Sequence, residues 1–166
     1  MTKIHNPKAL IPRSVIILLV CAFVLGFARP IPARAATLIV SDCSAPSGAA
    51  GRLVDVINAA TWNDTINFSC SGTITLSSTI TLAKNLTIDG TGQSVTISGG
   101  GAVRVFYVQG IQNPDVAVTL NHLTITNGFA DQGAGIFNVN VILTVTNSTL
   151  SGNHATQFRR RHFQRD

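Results

Sequence analysis

Glutamate is missing altogether: the seven acidic side chains of this 166-residue chain are all aspartates. Methionine, tryptophan and tyrosine occur once each, and charged residues make up only 11%. Helices favour Glu, Lys, Leu and Ala, whereas strands favour Val, Ile and Thr. So sparse a supply of charge, beside abundant Thr, Ser, Asn and Gly, argues against a largely helical protein and favours β structure with polar, uncharged surfaces. Zinc-ligand spacing, a nucleophile elbow and a phosphate loop are also lacking. Gly99-Gly100-Gly101 has no helix after it and reads as a turn.

A basic face is missing too, despite a formal net charge of +5. The positive charge sits at the two ends. Lys3, Lys8, Arg13, Arg29 and Arg34 precede residue 36, and Arg159, Arg160, Arg161 and Arg165 lie in the last eight residues. Between them, residues 36–158 hold Arg52, Lys84 and Arg104 against six aspartates, a net of −3. This argues against a nucleic-acid partner.

The one long apolar run, Val15–Ala28, has fourteen residues, short of the roughly 20 a membrane span needs. With Lys3, Lys8 and Arg13 before it and Ala33-Arg34-Ala35 after it, residues 1–35 read as a secretory signal. Cleavage is expected around Ala33, Ala35 and Ala36. If the segment stays uncleaved, it is the chain's only expected contact with a membrane. Cys21 leaves with the signal. Cys43 and Cys70 remain as an even pair in an exported chain, which favours a disulfide.

Residues 36–62 are expected to hold a strand, TLIVS at 37–41, and then a helix over 51–60. Leu53, Val56, Ile57 and Ala60 recur at helical spacing. Two to three turns are unstable alone, so this helix should cap the open end of a sheet, with Trp62 packing nearby. From residue 63 to 158 the chain alternates short strands and turns: TINFS (65–69), TITLS (73–77), TITL (79–82), LTID (86–89), VTIS (95–98), RVFYV (104–108), VAVTL (116–120), LTIT (123–126) and ILTVT (142–146).

A repeat decides between a sandwich and a solenoid. VTLNHLTITNG at 118–128 aligns without gaps on LTVTNSTLSGN at 143–153, an offset of 25 residues. Val118 meets Leu143, Thr119 meets Thr144, Leu120 meets Val145, Thr124 meets Thr149 and Ile125 meets Leu150. Ala130/Ala155 and Gln132/Gln157 continue the offset. LTIDG at 86–90 reads as an earlier echo of LTITNG at 123–128. One coil of a parallel β-helix has this length, with Ile, Val and Leu inward and Thr and Asn outward or laddered at the turns. The fold expected is therefore all-β, a right-handed parallel β-helix with a short N-terminal capping helix.

Residues 159–166 break the pattern. Where the repeat calls for a copy of Gly133–Asn138, the chain has Arg159-Arg160-Arg161-His162-Phe163-Gln164. One encoding, CGG CGG CGG CAT TTT CAA CGC, read one base later gives Gly-Gly-Gly-Ile-Phe-Asn. The tail is expected to be a frameshifted copy of the repeat, and the chain a fragment of a longer protein.

Gly133-Ala134-Gly135-Ile136, with Phe137-Asn138-Val139-Asn140 and Leu150-Ser151-Gly152-Asn153, resembles the paired GGA[ILV] and FxxN repeats of the polymorphic outer membrane protein family and related bacterial surface β-helices. The repeat residues carrying the resemblance are Gly133, Gly135, Ile136, Phe137, Asn138 and Asn153, with Ile136 and Phe137 expected to fill the core. Asp64–Phe68 and Gly72–Leu76 are similar to the opening strands of large secreted β-helix proteins. The resemblance implies export, surface display or adhesion. The flat strands rich in Thr and Asn suit glycans or surface proteins as partners, and no cofactor is expected.

Catalysis finds less support. Some β-helices are polysaccharide lyases or glycoside hydrolases, which cluster carboxylates, so a fragment of such an enzyme is the alternative reading. Asp89, Asp115 and Asp131 each sit beside turn-forming residues and read as turn aspartates. Arg104 lacks any neighbour that would make it a base. His122 and His154 lie near repeat turns and read as surface or ladder residues. No catalytic, cofactor-binding or metal-binding residue is assigned. The N-x-[ST] triplets at Asn63, Asn67, Asn85 and Asn147 are expected by chance in so Asn- and Thr-rich a chain.

Overall fold

The computed structural model describes residues 35–44, 52–110 and 115–157. The apolar run of the expected signal, Ala33 and the basic tail at 159–166 lie outside them. Fourteen strands and one helix are described: β1 (Thr37–Val40), α1 (Leu53–Ala59), β2 (Asp64–Phe68), β3 (Gly72–Thr75), β4 (Ile80–Leu82), β5 (Leu86–Asp89), β6 (Val95–Ser98), β7 (Phe106–Gln109), β8 (Ala117–Asn121), β9 (Leu123–Thr126), β10 (Phe129–Ala130), β11 (Ile136–Val139), β12 (Ile142–Thr146), β13 (Thr149–Ser151) and β14 (His154–Ala155).

The strand order shows how the chain winds. The first sheet runs β1-β2-β5-β8-β12, the second β3-β6-β9-β13 and the third β4-β7-β11, with β10-β14 as a short ladder. Each pairing is parallel, and each sheet collects one strand per circuit. The result is a parallel β-solenoid of about four turns.

Alternation within each strand makes the core. Ile66, Phe68, Leu86, Ile88, Val118 and Leu120 face inward from the first sheet; Ile74, Val95, Ile97, Leu123 and Ile125 from the second; Ile80, Leu82, Phe106 and Val108 from the third. The intervening positions carry mostly Thr and Asn. Leu53, Val56 and Ile57 of α1 join the same core, against β1. The helix is thus placed as a cap on the first coil. Trp62, expected to pack there, is instead 44% exposed: it follows the helix on a turn, outside the apolar face.

Cys43 and Cys70 form a disulfide with Cα atoms 5.8 Å apart. It ties the segment after β1 to the segment after β2. Asp42 pairs with Arg52 at 3.0 Å just before the helix.

The 25-residue offset is the real register of the last coil: Val118 pairs with Leu143, Thr119 with Thr144, Leu120 with Val145, Thr124 with Thr149, Ile125 with Leu150 and Ala130 with Ala155. The LTIDG echo is corrected. Leu86–Asp89 lies in the first sheet, beside Val118–Asn121, whereas Leu123–Thr126 lies in the second. Strands on different faces share the pattern because both need the same inward Leu/Ile phase.

Candidate ligand-binding face

The repeat motif holds coils together. The side chain of Asn153 accepts from Gly128 N–H at 2.8 Å and donates to the Ile125 carbonyl at 3.0 Å, bridging to the preceding coil. A Cβ on Gly135 would stand 2.8 Å from the Asn153 side-chain nitrogen, so the glycine makes room for that amide. Gly133 turns with φ +54°, a conformation L side chains disfavour. Asn138 donates to the Val141 carbonyl across the next turn. Ile136 takes the inward phase opposite Phe106 but is only half-buried, because its coil is the last described in the third sheet. Phe137 is not a core residue. It faces outward in register with Tyr107 and stacks on it at 5.8 Å, under the Arg104 guanidinium 4.7 Å from its ring. Arg104 also donates to the Gln132 and Gly133 carbonyls, so it serves as a surface clamp.

The aspartates are dispersed. Asp89 accepts from the Thr91 amide at 2.9 Å and from Asn121 at 3.0 Å. Burial raises its carboxyl, but the bonds from Thr91 and Asn121 outweigh that and hold it below the ordinary value. Asp131 accepts from Thr156 at 3.3 Å. Asp115 lies exposed in the turn before β8. Among the described residues no group of three His, Cys, Asp or Glu is placed to hold a metal ion. His154 stacks on Phe129 at 5.8 Å.

Sequence reasoning missed Asp64. It is 3% exposed and accepts from Ala36 N–H at 2.7 Å, from Thr61 N–H at 2.7 Å and from the Thr61 hydroxyl at 3.0 Å. The Ala36 bond, then the Thr61 amide, hold its carboxyl below the ordinary value against the effect of burial. The signal was present: Asp64, Ile66 and Phe68 share one phase of β2, the inward one.

Two columns of outward threonines run along the solenoid. Thr37, Thr65, Thr87, Thr119 and Thr144 are neighbours in the first sheet. Thr73, Thr96, Thr124 and Thr149 are neighbours in the second. Adjacent strands stand about 4.8 Å apart, so each column repeats a hydroxyl and a methyl at that spacing. None of these nine hydroxyls bonds to another described residue, unlike Thr91 or Thr146.

Beside the second column lies an open hollow of about 230 Å³, lined by Thr96, Thr124, Thr149, Gln93, His122 and Asn147 among others. No Asp, Lys or Arg lines it. Three of these side chains are tethered through one atom. Gln93 accepts from Ser71 through Oε1 at 2.8 Å, His122 Nδ1 bonds Thr91 at 3.0 Å, and Asn147 Nδ2 donates to Asn121 at 3.0 Å. Each keeps its other polar atom unused: the Gln93 amide nitrogen, His122 Nε2 and Asn147 Oδ1. His122 and Asn147 occupy equivalent turn positions on successive coils, both left-handed at φ 52° and 49°. A smaller hollow on the first sheet differs. Its Asn85 amide is spent on both sides, donating to Asn63 and accepting from Ala117 N–H.

The face offers fixed, uncharged hydrogen-bonding groups and methyls in a shallow groove. That chemistry suits binding to a neutral, hydroxyl-rich ligand rather than proton transfer or charge stabilisation. No protein-family model, curated protein or solved structure matches the chain.

Proposed function

We propose that the chain is an exported, non-catalytic surface module that binds neutral glycans through the threonine face of its second sheet. The observation that carries this reading is the hollow at Thr96, Thr124 and Thr149, where three unbonded hydroxyls meet three tethered amide and imidazole groups. Tethering removes part of the ordering cost of binding. At about 230 Å³ the hollow is smaller than the roughly 300 Å³ at which enclosed small-molecule pockets begin. It suits one sugar ring of a polymer lying along the column, meeting a fresh hydroxyl at every strand.

Export is supported by the signal-like residues 1–35 and by the Cys43–Cys70 disulfide, a bond that persists in oxidising compartments. The GGA[ILV] and FxxN likeness supports surface display in the manner of the polymorphic outer membrane proteins. A right-handed coil follows from the strong preference of parallel crossovers for that hand. The aspartates are dispersed, Asp89 bonded to its own turn and to Asn121 and Asp131 to Thr156 of the next coil, which favours this module over a lyase or hydrolase.

The test is binding of the purified chain to soluble dextran, laminarin, galactomannan and hydroxyethylcellulose, with polygalacturonate and heparin as acidic counterparts. Binding to at least one neutral polymer is expected, unchanged in about 1 M salt, where the Debye length is about 3 Å. Preference for the acidic polymers, or salt-sensitive binding, contradicts the reading.

A further inference from the structure

We infer that Asp64 is the receptor for a new N-terminus: cleavage of the Ala35–Ala36 peptide bond leaves an α-ammonium on Ala36 that pairs with the buried Asp64 carboxylate. This rests on the export reading above and goes beyond it, by naming the scissile bond and the group that holds its product.

The geometry starts from a buried carboxylate. Asp64 opens β2 in the inward phase, 3% exposed, yet its bonds are all from neutral donors. Thr61, through its amide and hydroxyl, occupies Oδ2. Oδ1 accepts from the backbone nitrogen of Ala36 at 2.7 Å, across 28 residues of sequence. Lys84 is the other charge close by, and its ammonium is engaged by the Ala60 carbonyl. An ionised carboxylate removed from water is costly unless it is paired and hydrogen-bonded. A cation at Ala36 nitrogen would supply that pairing without moving an atom of the frame.

The surroundings permit it. Ala35 and Ala36 are both exposed, so the bond between them is open to a peptidase. Ala36 is held in place independently, because its carbonyl accepts from Thr65 N–H at 2.8 Å and Thr37 then enters the first sheet beside Thr65. Ala33 and Ala35 stand at the −3 and −1 positions that a signal peptidase reads. Hydrolysis breaks the Ala35 carbon to Ala36 nitrogen bond. Water supplies the oxygen of the new Ala35 carboxylate, and the released amine is protonated. The donor to the Asp64 carboxylate thereby changes from a neutral amide to a cation, so that a bond charged on its acceptor side alone becomes an ion pair. The mature chain is thus held more firmly at its first strand than its precursor.

The test is made on the full chain with its own leader, expressed in an exporting bacterial host and purified from the periplasm. Intact mass and N-terminal sequencing are expected to give Ala36 as the first residue. Its α-amino group, followed by NMR titration, is expected to hold its proton at least tenfold more tightly than the ordinary value of about 7.7–8.0 allows. Asp64→Asn should return it to that range. Should Asp64→Asn not fold, a glycine inserted between Ala35 and Ala36 leaves Asp64 intact, and the displaced α-amino group should titrate normally. An exported chain starting elsewhere, or an Ala36 amine of ordinary pKa, overturns the proposal and leaves export standing. A chain that stays unprocessed in the cytoplasm overturns both.

Discussion

Three carboxyls shape how the described residues respond to acid: Asp89, held low by Thr91 and Asn121, with Asp42 and Asp64. Asp42 is lowered from 3.8 to about 2 by the Ser44 hydroxyl, the Ser44 amide and Arg52, and Asp64 is lowered by the amides of Ala36 and Thr61. All three carboxyls bind protons less tightly folded than unfolded. Their contribution to stability is complete above the unfolded value of 3.8 and is lost as pH falls through the folded values, about 2 for Asp42. The melting temperature followed by circular dichroism should therefore fall between about pH 4 and pH 2, and Asp64→Asn should make that fall shallower. Asn153 gives a second expectation. Asn153→Ala leaves the Gly128 amide and the Ile125 carbonyl without their clamp. A cost of about 1–3 kcal/mol in urea denaturation is expected. At this scale the sequence was partly legible: Gly135 and Asn153 were visible as a motif, but not that one makes room for the other. Phe137 was misjudged because Gly-Ile-Phe-Asn does not reveal which of two adjacent apolar residues points inward; Tyr107 on the neighbouring strand settles it.

Among elements, α1 and the disulfide close the first coil. Leu53 is fully buried between the helix and β1. Leu53→Ala should cost about 2–5 kcal/mol. Reducing Cys43–Cys70, 27 residues apart, should cost about 3–4 kcal/mol by loop-closure entropy, read as a lower urea midpoint. The strands themselves were legible from alternation of Thr with Ile, Leu and Val. Their assignment to sheets was legible only for the last coil. Thr65 to Thr87 is 22 residues, Thr87 to Thr119 is 32 and Thr119 to Thr144 is 25, so only the final step keeps a gapless offset. The longer turns absorb the difference without disturbing the ladders. The hollow was not legible for the same reason: Gln93, His122 and Asn147 come from three coils, and uneven coil lengths hide that they stand together.

For the whole molecule, the two ends of the described solenoid differ. The first coil is covered by α1. The last presents inward-phase residues to solvent: Val145 is 37% and Leu150 50% exposed, beside Ile142 at 64%. Exposed sheet edges and apolar faces invite pairing with other chains. Sedimentation velocity should show self-association that Val145→Lys with Leu150→Lys reduces, while Thr→Val changes on the outer columns leave it unaltered. The outer columns carry the functional claim instead. The measurement that tests it most directly compares neutral-polysaccharide affinity of the unaltered chain with two double variants of equal shape. Thr124→Val with Thr149→Val removes two hydroxyls from the second-sheet hollow, and Thr87→Val with Thr119→Val removes two from the first sheet. At about 0.5–1.5 kcal/mol per hydrogen bond, the first pair should weaken binding about tenfold and the second should leave it unchanged. Equal affinity for all three chains, or loss only in the first-sheet variant, would contradict the assignment of the binding face.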